Sequence, residues 1–522
     1  MLTPARLAAL MASDAPHAVL DLRERGAYER GHVFRTTSLA RRLLELRLPA
    51  LVPATATPIV LCDGDGRLAG LSAPTLRELG YTNVDALAGG LAAWRAAGRP
   101  LVEGINVPSK VFGERMLHEL ETPEISPREL LRRLERGDDL VIVDSRTPEE
   151  YARGCVPGAI SMPGGELVLR IGDLVARPDT TIVVHCGGRT RSYIGAESLR
   201  RMKLPNPVVA LENGTMGWAL AGFPLERGAE RWAPPVSPQS RARAAEVASR
   251  VAAEDGVPFV SPDDLAARVA RRGDENLHVL DVRTADEYAA GHVPGAVWAP
   301  GGQAVQATDE YVAVRAAAIV LVCDDLVRSV MTASWLRRMG FPRVGVLAGG
   351  VRAWEQAGGA LERGRPNVAP AGWEQARAHV ACVKPGDLGG ARVFDVDQSD
   401  VYTRGHVPGA AWLCRSRLEF LIAGIAPDTR QPIVVSCGDG VASTLAAATL
   451  GRLGYGGARV LEGGTRAWAE AGLPIEHGAT RLLDEPDDVV PKPYDRGREA
   501  MVKYLKWEEA LDEQGRSAHG LL

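Results

Sequence analysis

One frame of residues recurs four times along this 522-residue chain, and it limits the fold more than any other feature. In each copy an apolar stretch ends in Asp21-Leu22-Arg23, Asp144-Ser145-Arg146, Asp281-Val282-Arg283 or Asp395-Val396-Asp397. A Gly-His-Val-Pro-Gly-Ala-like turn follows, starting at Gly31, Gly154, Gly291 or Gly405. Each frame then reaches a cysteine at the end of a β-rich run (Cys62, Cys186, Cys323, Cys437) and closes on a Leu-x-Gly-Gly-x-x-Ala-Trp-like segment at Trp94, Trp218, Trp354 or Trp468. The register holds: Asp to Cys is 41 residues in the first copy and 42 in the other three, and Cys to Trp is 32, 32, 31 and 31. Units this long exceed solenoid repeats of about 20–50 residues, so each can bury its own core. Short apolar strands alternating with helices predict parallel α/β sheets with helices on both faces. Ligands of such sheets sit at the carboxyl ends of the strands, where the four cysteines fall.

The frame divides the chain into domains at 1–104, 126–228, 259–364 and 381–478, joined by a linker helix at 105–125, a linker with a helix at 229–258 and a linker helix at 365–380, with a tail at 479–522 carrying an amphipathic helix. Similar Glu-x-Gly-Ala-x-Arg segments follow the second and fourth copies, at Glu226 and Glu476, each leading toward a helix. The first helix presents Ala244, Val247, Ala248 and Val251 on one face, and the second Ala500, Tyr504, Trp507 and Leu511. This higher repetition predicts two tandem pairs of domains, with the helices docking on neighbouring domains. The tryptophans are expected to anchor the cores. With 46% hydrophobic and 24% charged residues and a net charge of −4, the composition points to globular domains and away from disorder, membrane spans or nucleic-acid binding.

The second copy carries the clearest chemistry. Cys186 is followed by Gly187-Gly188-Arg189-Thr190-Arg191-Ser192 and a helix start. Only a thiolate attacks, and a free cysteine with a pKa near 8.5 is mostly protonated at neutral pH, so the anion needs stabilising. Glycines let backbone amides turn inward, a helix N-terminus adds positive potential, and Arg189 and Arg191 add full charges. Over the six residues after each cysteine the net charge is +2 here and −1 in each of the other copies. A unit charge about 6 Å away at an effective dielectric near 20 is worth on the order of 3 kcal/mol, or about two pKa units. The acidic loops are therefore expected to raise the sister thiols and to repel anions. Asp144 and Arg146 are expected to pair and lock the strand end.

Together, the Asp-x-Arg strand end, the Gly-His-Val-Pro-Gly-Ala turn, the Cys-x-x-x-x-Arg-Ser loop and the Gly-Gly-x-x-Ala-Trp segment resemble the rhodanese family of thiosulfate and mercaptopyruvate sulfurtransferases. The resemblance covers nearly the whole chain, which is similar to bacterial sulfurtransferases with four rhodanese domains. It implies a cysteine cycling between thiol and persulfide, with Cys186 catalytic, Gly187, Gly188, Arg189, Thr190, Arg191 and Ser192 holding the substrate, and Asp144 and Arg146 in support. Thiosulfate is the implied donor and cyanide or a thiol the implied acceptor, with no metal and no organic cofactor. Arg191 falls at the family's arginine position and is expected to hold the anionic donor, while Arg189 steers it inward.

The sister copies depart from this pattern by degrees. Cys323 keeps Arg328 and Ser329 and is a secondary candidate. Cys62 keeps Arg67 but has Leu68 after it. Cys437 has Ala442 at the arginine position and Asp397 at the strand-end arginine; its loop resembles the mercaptopyruvate type, though Asp439 and Ala442 break that pattern too. Two other function classes stay open: a relay that hands persulfide onward with little turnover, and a dual-specificity-type phosphatase, whose loop is one residue longer. Cys155 replaces the turn histidine of the other copies, and Cys382 and Cys414 have no metal-ligand spacing. Seven cysteines without a signal-peptide pattern predict a reducing, cytoplasmic setting, and a homodimer is compatible with the chain.

Overall fold

The computed structural model describes residues 1–366 and 368–511. It contains four parallel sheets, one per copy of the frame. In the second domain the strands run, in spatial order, Glu124–Ile125, Val208–Leu211, Thr181–His185, Leu140–Asp144 and Ile160–Ser161. The third and fourth domains repeat this five-strand order, and the first has four strands, with an isolated Leu2–Leu87 bridge where the fifth would lie. Thr181–His185 is buried along its whole length, which is why its sequence reads as a continuous apolar run instead of alternating. The tryptophans sit in the cores as expected; Trp218 packs with Ile142, Val183 and Leu211 and donates its indole N–H to Pro224 O at 2.9 Å.

The closing Gly-Gly motif has a steric cause. Its second glycine has a left-handed backbone in every copy, with φ of 59° at Gly90, 53° at Gly214, 65° at Gly350 and 67° at Gly464. A Cβ at Gly214 would stand 2.3 Å from Cys186 O, and one at Gly350 or Gly464 would stand 2.1 Å from Cys323 O or Cys437 O. Only glycine tolerates both the conformation and the approach. The segment can then donate Thr215 N–H to Cys186 O at 2.9 Å and Met216 N–H to Gly187 O at 3.1 Å, fixing the cysteine loop from below.

The expected tandem pairing is not the one observed. One compact unit comprises Met1–Ile105 with Asn367–Val490, the first and fourth domains; the other comprises Asn106–Pro366 with Pro491–Leu522, the second and third domains and the tail. The reason lies in the segment 20 residues after each strand-end aspartate, where the partners meet. In the first and fourth domains it is arginine-rich: Arg41 pairs with Glu419, Arg415 with Glu45 at 2.6 Å, and Arg42 donates to Glu24 at 3.0 Å. In the second and third it is Gly164-Gly165 against Gly301-Gly302, so close that a Cβ on Gly165 would lie 3.2 Å from Gly301 Cα. A charged segment and a glycine segment do not substitute for one another. Within the second unit the helix Pro238–Glu254 buries Ala244, Val247, Ala248 and Val251, the face expected of it. The helix Arg498–Glu509 also docks in this unit, burying Leu505 and, unexpectedly, Glu508. Residues 512–522 of the tail lie outside the described residues.

Candidate active site

Cys186 directly follows the central strand Thr181–His185 and precedes the eleven-residue helix Thr190–Arg200. Cys186 is 2% exposed. The Ser192 hydroxyl, in the first turn, donates to its sulfur at 3.1 Å. Arg191 is held by both oxygens of Glu150, at 2.7 and 2.9 Å. Burial acts to raise the Glu150 carboxyl, but the Arg191 charge and hydrogen bonds outweigh it and hold the group down at about 2. Glu150 also serves its own helix, since with Thr147 it forms the capping box of Pro148–Arg153. Arg146, also buried, donates to both Asp144 oxygens and to Gly154 O at 2.6 Å. This clamp ties the strand end to the following turn, and its geometry recurs in Arg23–Asp21–Gly31 and Arg283–Asp281–Gly291.

Arg189 differs from its expected role. It is 7% exposed and spent on carboxylates: Nε and one terminal nitrogen bind the two Glu114 oxygens at 2.7 and 2.8 Å, and the other reaches Asn213 at 2.9 Å and Glu509 at 3.3 Å. Its guanidinium donors are thus engaged by side chains from outside the loop, an arrangement that favours a positioning role over the steering expected of it. Burial, only partly offset by Arg189 and reinforced by Glu508 and Glu509, pushes Glu114 up to about 7. The charge count of +2 therefore overstates the positive potential around Cys186, because Glu114, Glu150, Glu508 and Glu509 converge on the loop from distant parts of the chain. Gly113 and Gly188 permit this approach: a Cβ at Gly113 would lie 2.9 Å from Thr190 Cγ2, and one at Gly188 would lie 3.2 Å from Glu508 Oε2. Tyr494 and Tyr504 complete the surroundings, 3.9 Å from the Cβ position of Gly187 and 3.6 Å from that of Gly188.

The sister loops grade away from this arrangement. In the third domain Ser329 lies 3.1 Å from Cys323, and Arg328 is bound by Glu287 at 2.6 and 3.0 Å, matching Ser192, Arg191 and Glu150. Arg328 also reaches Glu166 of the second domain at 3.0 Å. Cys323 is pushed up to about 12, first by burial and then by Asp325, against the pull of Arg328 and Ser329. In the fourth domain Asp397 accepts the Gly438 amide at 2.6 Å, placing a carboxylate in the anion cradle itself. Cys437 stands near 11, raised by burial, with Ser443 opposing and Asp397 adding. Its loop opens on a cleft of about 390 Å³ lined by Arg42, Arg415 and Arg466 as well as Asp397 and Asp439. In the first domain Arg67 has left the loop to stack on Phe420, with 4.3 Å to the ring centroid, and Asp63 caps the following helix through Gly66 and Ala69. Cys62 is raised well above its ordinary value by burial, then by Asp21 and Asp63. Burial thus outranks the loop acids in all three sisters.

Sequence reading missed Glu150 and Glu287, although a signal was available. Six residues after the strand-end aspartate stands Glu in the second and third copies and Ala27 or Val401 in the first and fourth. The acid accompanies the arginine only where the two bind each other. Glu114, Tyr494, Tyr504 and Glu508 carry no such signal, since they lie outside the frame. Cys155 is a core residue, 0% exposed beside Tyr151 and Val156, and its thiol is pushed up to about 11 by burial. Among the described residues no cluster of side chains has metal-ligand geometry, and no helix is long and apolar enough to cross a membrane.

The candidate site is thus a buried thiol at the carboxyl end of a parallel strand, followed by a tight loop that brings a serine and an arginine to it, on an α/β scaffold. The chain belongs to the rhodanese-like domain family, whose model matches residues 3–97, 126–221, 261–357 and 382–471. It is similar along its whole length to a crystal structure of thiosulfate sulfurtransferase from Pseudomonas aeruginosa, at 39% identity and a TM-score of 0.93, covering 100% of this chain and 99% of that one. It is 27% identical over 258 residues to the 3-mercaptopyruvate sulfurtransferase of Escherichia coli K12, covering 40% of this chain and 90% of that protein. A further thiosulfate sulfurtransferase, from Pseudomonas aeruginosa PAO1, is 32% identical over 168 residues, covering 28% of this chain and 61% of that protein. The protein is a sulfurtransferase of the rhodanese family.

Proposed function

We propose that the protein moves a sulfane sulfur from thiosulfate to cyanide or a small thiol through a persulfide on Cys186. The observation that carries this reading is the set around that thiol: Ser192, in the first turn of Thr190–Arg200, donating at 3.1 Å, and Arg191 beside it fixed by Glu150. The Cys186 thiolate attacks the outer sulfur of thiosulfate, the S–S bond to the sulfonate breaks, and sulfite leaves with the electron pair. The persulfide anion rests against the loop amides and the helix N-terminus. A nucleophile then takes the outer sulfur and returns Cys186 to the thiolate. Gly187, Gly188 and Thr190 shape this cradle, Arg191 supplies its positive charge, and Arg189, Asp144 and Arg146 hold it in place. Cys323 is the secondary site, since it keeps the serine and the Glu–Arg pair; Cys437 and Cys62 rank below it. All seven cysteines are free thiols, which suits a cytoplasmic setting.

The test is a sulfur-adduct map by mass spectrometry after exposure to thiosulfate, combined with thiosulfate:cyanide turnover. The wild type should carry one added sulfur on Cys186, and Cys186→Ser should lose at least about 99% of turnover. Retention of activity in Cys186→Ser, with loss in Cys323→Ser or Cys437→Ser, would move the site to another domain.

A further inference from the structure

The loop of the second domain is roofed in a way its sisters are not. Gly187, Gly188, Arg189 and Thr190 are all buried, whereas Asp324–Leu326, Gly438–Asp439 and Gly64–Arg67 are partly or fully open. The roof comes from the same compact unit: the helix Val107–Glu119 on one side, and Tyr494 with the helix Arg498–Glu509 on the other. Within it Glu508 is 1% exposed. One of its oxygens, Oε1, accepts the Thr190 hydroxyl at 2.8 Å. The other, Oε2, faces Gly188 at 3.2 Å from its Cβ position; the Tyr504 hydroxyl interacts with this carboxyl, but Oε2 accepts no hydrogen bond of good geometry among the described residues. Tyr494 Oη is likewise buried without a partner, its ring against Gly187. Other buried polar atoms also lack partners, but these two stand together against the Cys186 loop, where a ligand that supplies the missing bonds would account for both.

A carboxylate is a poor host for a dianionic donor and a good acceptor for a proton. A thiol acceptor must lose its S–H proton before it can attack a persulfide. We propose that Glu508, through Oε2, is the proton acceptor for a low-molecular-weight thiol that discharges the Cys186 persulfide. This inference rests on the Cys186 reading above. The acceptor's S–H proton passes to the Glu508 carboxylate. The persulfide anion takes a proton from solvent water, and the acceptor thiolate attacks the outer sulfur of the neutral persulfide so formed, making a new S–S bond. The Cys186 S–S bond breaks and its electron pair stays on Cys186 as thiolate, so the products are a hydropersulfide, the Cys186 thiolate and protonated Glu508. No oxidant or reductant is consumed. The charged and titratable groups around Glu508 are Glu114 and Lys110 from Val107–Glu119, Arg189, Arg191 and Cys186 from the loop side, and Tyr504 and Glu509 on its own helix.

The test separates the two half-reactions in the full-length protein. Cys186 is loaded from thiosulfate and then discharged either by sulfite, which has no proton to give up once ionised, or by 2-mercaptoethanol. Glu508→Gln should load at least as fast as wild type and discharge to sulfite within about twofold. Its discharge to 2-mercaptoethanol should fall roughly 100-fold or more. Its pH profile for the thiol should steepen, following the free thiolate fraction alone. Glu508→Ala with added formate, which replaces the missing carboxylate, should regain part of the thiol rate. Wild-type thiol discharge with an unchanged pH profile in Glu508→Gln would overturn the proposal, and so would an equal loss toward sulfite, which would reduce Glu508 to a structural strut. Sulfur loaded on Cys62, Cys323 or Cys437 in place of Cys186 would overturn both this inference and the reading beneath it.

Discussion

The second and third domains share a compact unit, a sheet order and a Glu–Arg–Ser set beside the thiol, yet they present their thiols to different surroundings. Both hold the loop arginine with the glutamate that also caps the preceding helix, and both set a serine 3.1 Å from the sulfur. They differ at the four residues between cysteine and arginine, Gly187-Gly188-Arg189-Thr190 in one and Asp324-Asp325-Leu326-Val327 in the other, and the first two of these set the contrast. Asp325 turns back to its own loop, accepting the Val327 amide at 3.2 Å and lying 3.6 Å from Cys323. At the matching place in the second domain Gly188 leaves room, and Glu508 enters from the C-terminal helix. Each loop therefore meets an acid at the same point. One belongs to the loop and stays satisfied there; the other arrives on a separate element with an oxygen to spare.

The most severe way to break this comparison is to remove the shared arginine. Arg191→Ala should lower thiosulfate:cyanide kcat/KM by about 100-fold or more, in line with deleting a preorganised charge from an anion site, while Arg328→Ala should change it less than about threefold. Equal losses would show that both domains turn over. The glutamates come next. Glu150→Gln leaves Arg191 largely buried and unpaired and should cost about 3 kcal/mol of stability at neutral pH, read by denaturant unfolding. The sign follows from a folded value near 2 that lies below the ordinary glutamate value of about 4.3. The stabilisation is complete above roughly pH 5 and fades as pH falls toward 2, so wild type and variant should converge in acid. Glu287→Gln should show the same pattern with a smaller amplitude, since the Glu287 side chain is 35% exposed and Arg328 keeps Glu166.

A gentler change sharpens the comparison by making the third loop resemble the second. Asp324→Gly with Asp325→Gly should lower the Cys323 thiol from about 12 by about one unit, measured as alkylation rate against pH. Burial is the larger cause and remains, so the value should stay above that of a free cysteine. A fall of three units or more would restore loop charge as the leading cause. The smallest effect is expected outside this pair: Arg67→Ala removes an exposed stacking contact on Phe420 and should alter stability by about 0.5–1 kcal/mol and turnover hardly at all.

Much of the fold was legible because the frame is local. Strand ends, turns and the Gly-Gly closure are written in short segments, and their fourfold recurrence fixed the domains, the sheet type and the place of Cys186, Arg191 and Ser192. The pairing of domains was less visible, although the contrast between Arg41-Arg42 and Gly164-Gly165 at equivalent positions held the information. Electrostatics failed for a different reason. Counting charge along the loop assumes that neighbours in sequence are the neighbours that matter, whereas Arg189 is neutralised by Glu114, 75 residues away. Side chains that approach from another domain or from the tail leave no periodicity and no motif, so Glu508 could be found only by its position in space.

The Thr190–Glu508 contact also sets a timetable. Its two ends are 318 residues apart in the chain. At roughly 5–20 residues per second of synthesis, the helix that roofs Cys186 leaves the ribosome about a quarter of a minute to a minute after the thiol does. During that interval a newborn second domain holds its cradle open to whatever electrophiles or thiols surround it. A nascent chain stalled before residue 491 should therefore react with alkylating agents at Cys186 as the finished protein does not.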